Sequence, residues 1–170
     1  MGLERLWAGW RSAYVSDPAT GKDDAGCVIC RLVDADDDEA ALVLERTPTT
    51  VTVMNLYPYA SGHLMVCPRR HEPDLDGLSD AEAVDVVRAQ QRAVRAVKEA
   101  YSPDGVNLGA NQGRGAGAGV PGHLHLHVLP RWVGDTNFMT ALAETRVMPE
   151  DLATGYAKLR AAWPQEHRPA

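Results

Sequence analysis

Gly122-His123-Leu124-His125-Leu126-His127-Val128-Leu129 is the stretch on which the reading of this chain turns. In an extended strand, side chains at i, i+2 and i+4 project from one face. His123, His125 and His127 therefore line up on one side, while Leu124, Leu126 and Val128 face the other. One face is apolar and the other is chemical. Stacked imidazoles are costly to bury unless each ring nitrogen finds a partner, so three of them in this pattern are either satisfied surface groups or a working site. Two chemistries compete for that site. One is a metal centre using alternate histidines, although zinc hydrolases recruit further carboxylates and Val128-Leu129-Pro130-Arg131 supplies none. The other is a nucleophilic histidine. It needs a neutral ring, with one nitrogen free and the proton held on the other by a backbone carbonyl or a second imidazole.

Upstream of the histidines runs a glycine-dense loop from Gly113 to Gly122, with Gly115, Gly117 and Gly119 between. Such a loop serves as a flexible connection, or it lets backbone amides approach an anion. It matches neither the Walker pattern nor the dinucleotide fingerprint. Before it, Val106, Leu108 and Ala110 alternate as a strand. Further back, Ser79-Asp80-Ala81-Glu82 has the capping-box form, and Val84, Val87, Val94, Val97 and Tyr101 recur at helical spacing up to Pro103. Val51 and Val53 alternating with Thr50 and Thr52 predict a strand, which Tyr57-Pro58-Tyr59-Ala60-Ser61-Gly62 turns into a second strand over His63 to Pro68. A last helix is expected from about Pro149 to Trp163, and the acidic run Asp34 to Glu39 reads as a solvated loop. Hairpins with two separated main helices predict an α+β domain on a largely antiparallel sheet.

With 170 residues, 45% of them hydrophobic and 24% charged, the chain has the size and composition of one soluble globular domain. A formal net charge of -6 leaves no global field for the backbone of DNA or RNA, so a nucleic-acid polymer is not expected as a partner and a small anion needs a local pocket. No stretch approaches the roughly 18 to 20 apolar residues of a membrane helix, and the first residues lack a signal-peptide core. Leu6 stands where a myristoylation signal requires Ser or Thr. No membrane partner is expected, and the cytoplasm is the expected location. Trp7, Trp10, Arg11 and Tyr14 mark an amino-terminal arm with aromatic anchors.

Of three cysteines, Cys27 and Cys30 form Cys-Val-Ile-Cys, a spacing that suits a metal or redox pair more than a structural disulfide. Cys67, among apolar residues, reads as a core thiol. Arg69, Arg70 and Arg131 are either phosphate-neutralising cations or solvated surface groups, and Trp132 either walls a substrate or packs internally.

At His123-Leu-His125-Leu-His127-Val-Leu129 the chain resembles the histidine triad family. The likeness extends to Asn55-Leu-Tyr-Pro-Tyr-Ala-Ser-Gly-His63-Leu-Met-Val-Cys-Pro68, similar to the family's hairpin, and to Pro130-Arg131-Trp132-Val-Gly134-Asp135, similar to its fragile-histidine-triad branch. Gly134-Asp135-Thr136-Asn137-Phe138 and the Trp-rich start resemble a bacterial subgroup that includes diadenosine tetraphosphate phosphorylases. The resemblance implies an amino-terminal arm over 1–24, a histidine-triad domain over 25–140, and a carboxy-terminal helix and tail over 141–170 packed on it. It implies a homodimer with a five-stranded antiparallel sheet in each subunit. It also implies nucleotide hydrolase or nucleotidyltransferase activity on dinucleoside polyphosphates through a covalent nucleotidyl-histidine, or alternatively phosphorylase or phosphoramidase activity. A nucleotide-binding protein with slow turnover is the rival of another class.

By position, His125 would attack the α-phosphorus, His127 would bond the phosphate or leaving group, and the carbonyl of His123 would fix the nucleophile's tautomer. Asn55, His63, Asn111, Gln112, Gly117, Ala118, Gly119 and Trp132 fall at nucleotide-binding positions. Gly119 stands where relatives carry Ser or Gln, so only its backbone amide can serve. Zinc-bearing members match Cys27, Cys30, His71 and His123 as ligands of a structural Zn2+, and Mg2+ carried in with a polyphosphate is compatible with the reading.

Overall fold

The computed structural model describes residues 26–135 and 149–164; the expected arm over 1–24 lies outside them. In chain order the elements are α1 (Val28–Val33), β1 (Val43–Arg46), β2 (Thr50–Met54), β3 (Leu64–Pro68), α2 (Asp80–Tyr101), β4 (Gly105–Ala110), β5 (Leu126–Arg131) and α3 (Leu152–Ala161). The strands form one sheet in the order β1-β2-β3-β5-β4, and every neighbouring pair is antiparallel. This is the α+β architecture expected, with α1 as a third, short helix and β1 as a strand that the sequence did not disclose.

Alternation along the strands divides the core in two. Leu64, Val66, Leu124, Leu126 and Val128 join the buried face of α2 and residues Tyr156, Leu159 and Trp163 in one apolar cluster. Val51, Val53 and Cys67 join Cys27, Ile29 and Val33 in the other. The helical layer thus covers one side of the sheet, and α1 with its cysteines lies on the other, where the histidines face.

The Ser79 box caps α2: the hydroxyl accepts from the Glu82 amide while the Glu82 carboxylate accepts from the Ser79 amide. Arg70 also binds Glu82, and these bonds together push the Glu82 carboxyl down to about 2. The buried face of α2 differs from the expected stripe. Val86, Ala89, Ala93, Ala96 and Val97 are buried, while Val84 and Val87 are about half exposed. Alanine has almost no volume to compete with the valines in a hydrophobicity pattern, yet it lets the helix axis sit close to the sheet.

The acidic loop is tied to α1 through Arg46. Arg46 donates to Asp38 and to the carbonyls of Leu32, Val33 and Ala35, closing the carboxy-terminal end of α1. Arg92 from α2 makes a paired contact with Glu45 of β1. From α3, the Tyr156 hydroxyl donates to the Val43 carbonyl and Arg160 donates to that of Leu44.

Candidate active site and metal centre

The hydrogen-bonded ladder of β5 begins only at Leu126, so His123 and His125 lie in an extended lead-in rather than in the strand proper. The lead-in is held by the Leu124 amide, which donates to the Glu72 carbonyl at 2.6 Å. The alternation of faces survives, since Leu124, Leu126 and Val128 are all in the helical-side core. Met65 pairs with His127 across β3 and β5, which puts His63, two residues before Met65, on the same face as the histidines.

The backbone and neighbouring rings assign each imidazole a proton. The Nε2–H of His123 donates to the Pro68 carbonyl at 2.9 Å, leaving its Nδ1 lone pair toward the cysteines. The Nδ1–H of His125 donates to the His123 carbonyl at 2.8 Å, so its Nε2 holds the lone pair. At His63 the Tyr59 amide donates to Nδ1 at 3.1 Å, and the Asn55 side-chain amide stands 3.3 Å from the same nitrogen. The proton of His63 must then be on Nε2, which donates to Nδ1 of His127 at 2.8 Å. His127 in turn carries its proton on Nε2, a buried nitrogen with no hydrogen-bond partner among the described residues. A lone pair on one ring thus lies beside an orphan donor on the next, with the ring centroids 5.2 Å apart. Buried polar groups are almost always satisfied, and an exception at a site of this kind marks a place for a missing acceptor.

Burial, and secondarily the neighbouring His125, pulls the His127 imidazolium down to about 4. Between about pH 4 and 6.5 the unfolded chain therefore protonates this residue and the folded chain does not. The unfolded state binds more protons in that window, so stability is lost as pH falls through it. The melting temperature of the wild-type protein should drop on acidification from pH 7 to 5 more steeply than that of His127→Asn. Parallel curves for the two proteins would refute the assignment.

Cys27, Cys30, His71 and His123 place one ligand atom each within 4.8 Å of one another. Sγ of Cys27 is 3.4 Å from Nδ1 of His123, and Sγ of Cys30 is 3.1 Å from Nδ1 of His71 and 3.5 Å from that of His123. A tetrahedral ion with two thiolates and two imidazoles sets sulfur and nitrogen about 3.5 Å apart, so the set fits a metal. The Pro68 carbonyl on the far nitrogen of His123 supplies the outer bond that such ligands take. Burial lowers the His123 imidazolium as well, in keeping with a neutral donor.

The HIT domain model matches residues 37–133. The chain belongs to the HIT domain family. Among HIT relatives it is 36% identical over 172 residues to the AP-4-A phosphorylase of Mycobacterium tuberculosis, covering 96% of this chain and 86% of that protein. It is 32% identical over 93 residues to the asymmetrical bis(5'-nucleosyl)-tetraphosphatase of Schizosaccharomyces pombe, covering 55% of this chain and 50% of that one. A Zn-bound histidine triad family protein from Mycobacterium smegmatis superposes with a TM-score of 0.67 at 30% identity, covering 82% of this chain and 94% of that chain.

The residues expected at nucleotide-binding positions have these surroundings in the HIT fold. His63 is fully buried behind His127, because its ring is enclosed by the turn it closes. The side-chain oxygen of Asn55 accepts from the Tyr57 amide, so this residue shapes the turn. Gln112 accepts from the Leu75 amide at 2.6 Å. In the glycine loop the amides of Gly117 and Ala118 donate inward, to the carbonyls of Arg114 and Gly113, because the left-handed Gly117 (φ +85°) folds the loop back on itself. Asn111 is part-exposed beside the loop. Trp132 packs edge-on against Tyr101. Of the arginines, Arg70 is bound to Glu72 and Glu82, and Arg131 to Asp135 and Asn107. Cys67 is a fully buried thiol whose ionisation burial opposes. No helix among the described residues is long and apolar enough to cross a membrane.

Proposed function

We propose that this HIT protein is a nucleotide hydrolase or nucleotidyltransferase that cleaves dinucleoside polyphosphates at the α-phosphorus through a nucleotidyl-His125 intermediate. The single observation that carries the reading is the pairing of a free lone pair on Nε2 of His125 with the unpartnered Nε2–H of His127. In the first step that lone pair forms a bond to the α-phosphorus, and the phosphorus–oxygen bond to the polyphosphate leaving group breaks. The His127 N–H hydrogen-bonds oxygen as negative charge grows there, and neutrality of the ring lets it do so as a donor of fixed direction. In the second step an acceptor oxygen bonds to phosphorus, the phosphorus–nitrogen bond breaks, and His125 is returned with its lone pair. The amide of Gly119, for which no hydrogen bond is made among the described residues, is one of the loop donors open to a phosphate.

Water as acceptor gives a hydrolase and inorganic phosphate a phosphorylase. Similarity to the mycobacterial AP-4-A phosphorylase over nearly the whole chain favours the second. Zn2+ at Cys27, Cys30, His71 and His123 is proposed as structural: it ties α1 to the lead-in of β5 and supplies no reacting group. A second copy of the chain is proposed to add at β4, which among the described residues pairs only with β5 and carries Leu108 at 55% exposure; such an edge seeks a cover.

The reading is tested by incubation with diadenosine tri- and tetraphosphate and adenosine phosphoramidate, with and without inorganic phosphate and Mg2+, with products separated by chromatography. Phosphate-dependent formation of ADP from the tetraphosphate identifies a phosphorylase, AMP in water a hydrolase. No turnover of any of the three, with bound nucleotide, would identify a binding protein instead.

A further inference from the structure

The carboxy-terminal helix and the turn before His63 both pack on the side chain of Tyr101. Tyr101, the last residue of α2, lies under the turn that precedes His63. Gly62 in that turn has φ +75°, and a Cβ there would stand 2.6 Å from Cε2 and 2.9 Å from Cδ2 of Tyr101, so the turn's backbone rests directly on the ring. The ring also meets Trp132 edge-on, with centroids 6.3 Å apart. Behind it, the hydroxyl donates to Glu150 at 2.5 Å, Lys158 binds the other oxygen of Glu150, and the Lys158 ammonium lies 5.5 Å from the ring centroid. Gly155 lets α3 approach this closely: a Cβ there would be 2.7 Å from Cε of Met54 and 3.2 Å from the Tyr101 hydroxyl.

We propose that Tyr101 is a positioning residue for the reaction, and that its ring, held from behind by the carboxy-terminal segment, fixes the 55–63 turn and through it the proton arrangement of His63 and His127. The chain of cause is short. The Tyr59 amide keeps Nδ1 of His63 unprotonated at a distance of 3.1 Å, and such a bond fails within a few tenths of an ångström of further separation. Without the ring, the turn can settle into the space it leaves. Asn55, whose side-chain amide stands 3.3 Å from the same Nδ1, belongs to the same turn and shifts with it; once both donors withdraw, His63 can hold its proton on Nδ1 and accept at Nε2. His127 must then donate from Nδ1, and its Nε2 becomes a lone pair. The donor beside the nucleophile is lost. The defect therefore falls on kcat rather than on KM.

The inference rests on the nucleotidyl-transfer reading for its kinetic consequence but not for its spectroscopic one. In full-length protein, Tyr101→Leu should lower kcat about tenfold with KM changed less than about twofold, and Tyr101→Phe, which keeps the ring, should restore kcat to within about threefold of wild type. In 15N-histidine-labelled protein without substrate, His63 should show an unprotonated Nδ1 in wild type and Tyr101→Phe, and a mixture of tautomers in Tyr101→Leu. Tyr101→Met, which keeps bulk without a flat face, replaces the leucine variant if that one does not fold. An unchanged nitrogen spectrum with wild-type kcat in Tyr101→Leu or Tyr101→Met would overturn the proposal. A wild-type protein that turns over none of the substrates, yet shows the tautomer change, would overturn the functional reading and leave the positioning role standing.

Discussion

Replacement of His125 by Ala is expected to lower kcat/KM for a dinucleoside polyphosphate by at least about 10³-fold, since removing a nucleophile leaves only binding and charge stabilisation to act. The fold should tolerate the change. The described hydrogen bond of this side chain goes to the carbonyl of His123 two residues away, no distant element depends on it, and Leu124 and Leu126 on the opposite face still fill the core. Metal content should be unchanged, because the cluster uses His123 and not His125. His125→Gly should regain part of the activity with added imidazole, the space of the missing ring being open to a free one. Denaturing mass spectrometry of wild-type protein quenched during turnover should show one added nucleotidyl group, absent in the alanine variant. Undiminished turnover by His125→Ala would sink the mechanism, whatever the substrate proves to be.

What could be read from the residues, and what could not, divides along physical lines. Period-two alternation places His123, His125 and His127 opposite three core aliphatics whether or not ladder bonds are present, so the faces were legible even though the ladder starts at Leu126. The capping box fixed the start of α2 because Ser79 and Glu82 act within one turn. The alanine face of that helix was not legible, since periodicity weighs side-chain hydrophobicity and here closeness of packing decides burial. Strand β1 follows a run of acids and owes its place to long-range partners, Glu45 to Arg92 and Val43 to Tyr156. The hairpin motif gives His63 a position but not its partner, because its bond to His127 spans the sheet. The tautomers depend on a backbone amide at Tyr59 and carbonyls at Pro68 and His123, groups every sequence has and none displays.

Replacing Cys30 by Ser should reduce bound zinc from about one ion per chain to near none and lower the melting temperature by roughly 6–16 °C. The figure follows from linkage. A ligand held at 100 to 1,000 times its dissociation constant stabilises the folded state by about 3–4 kcal/mol, and a domain of this size loses about 2–4 °C per kcal/mol. The apo protein should still fold, because the core on the helical side of the sheet contains neither cysteine; this separates the site from zinc modules that are unfolded without metal. The more informative consequence is catalytic. His123 would give its side chain to the ion and its carbonyl to the Nδ1–H of His125, so the proposed metal and the proposed nucleophile would share one residue. Without the ion, His123 keeps its bond to the Pro68 carbonyl and its contact with Cys27 but loses the link to Cys30, and the carbonyl that would orient His125 gains freedom. Loss of such outer support costs about 10- to 100-fold in metal-site systems, and a kcat loss toward the lower end of that range is expected for Cys30→Ser, with the nucleotidyl adduct still forming, only more slowly. Colorimetric zinc release, a melting curve and single-turnover kinetics on the same preparation decide it. Protein that is metal-free as purified and fully active would show that the four side chains hold the lead-in by themselves.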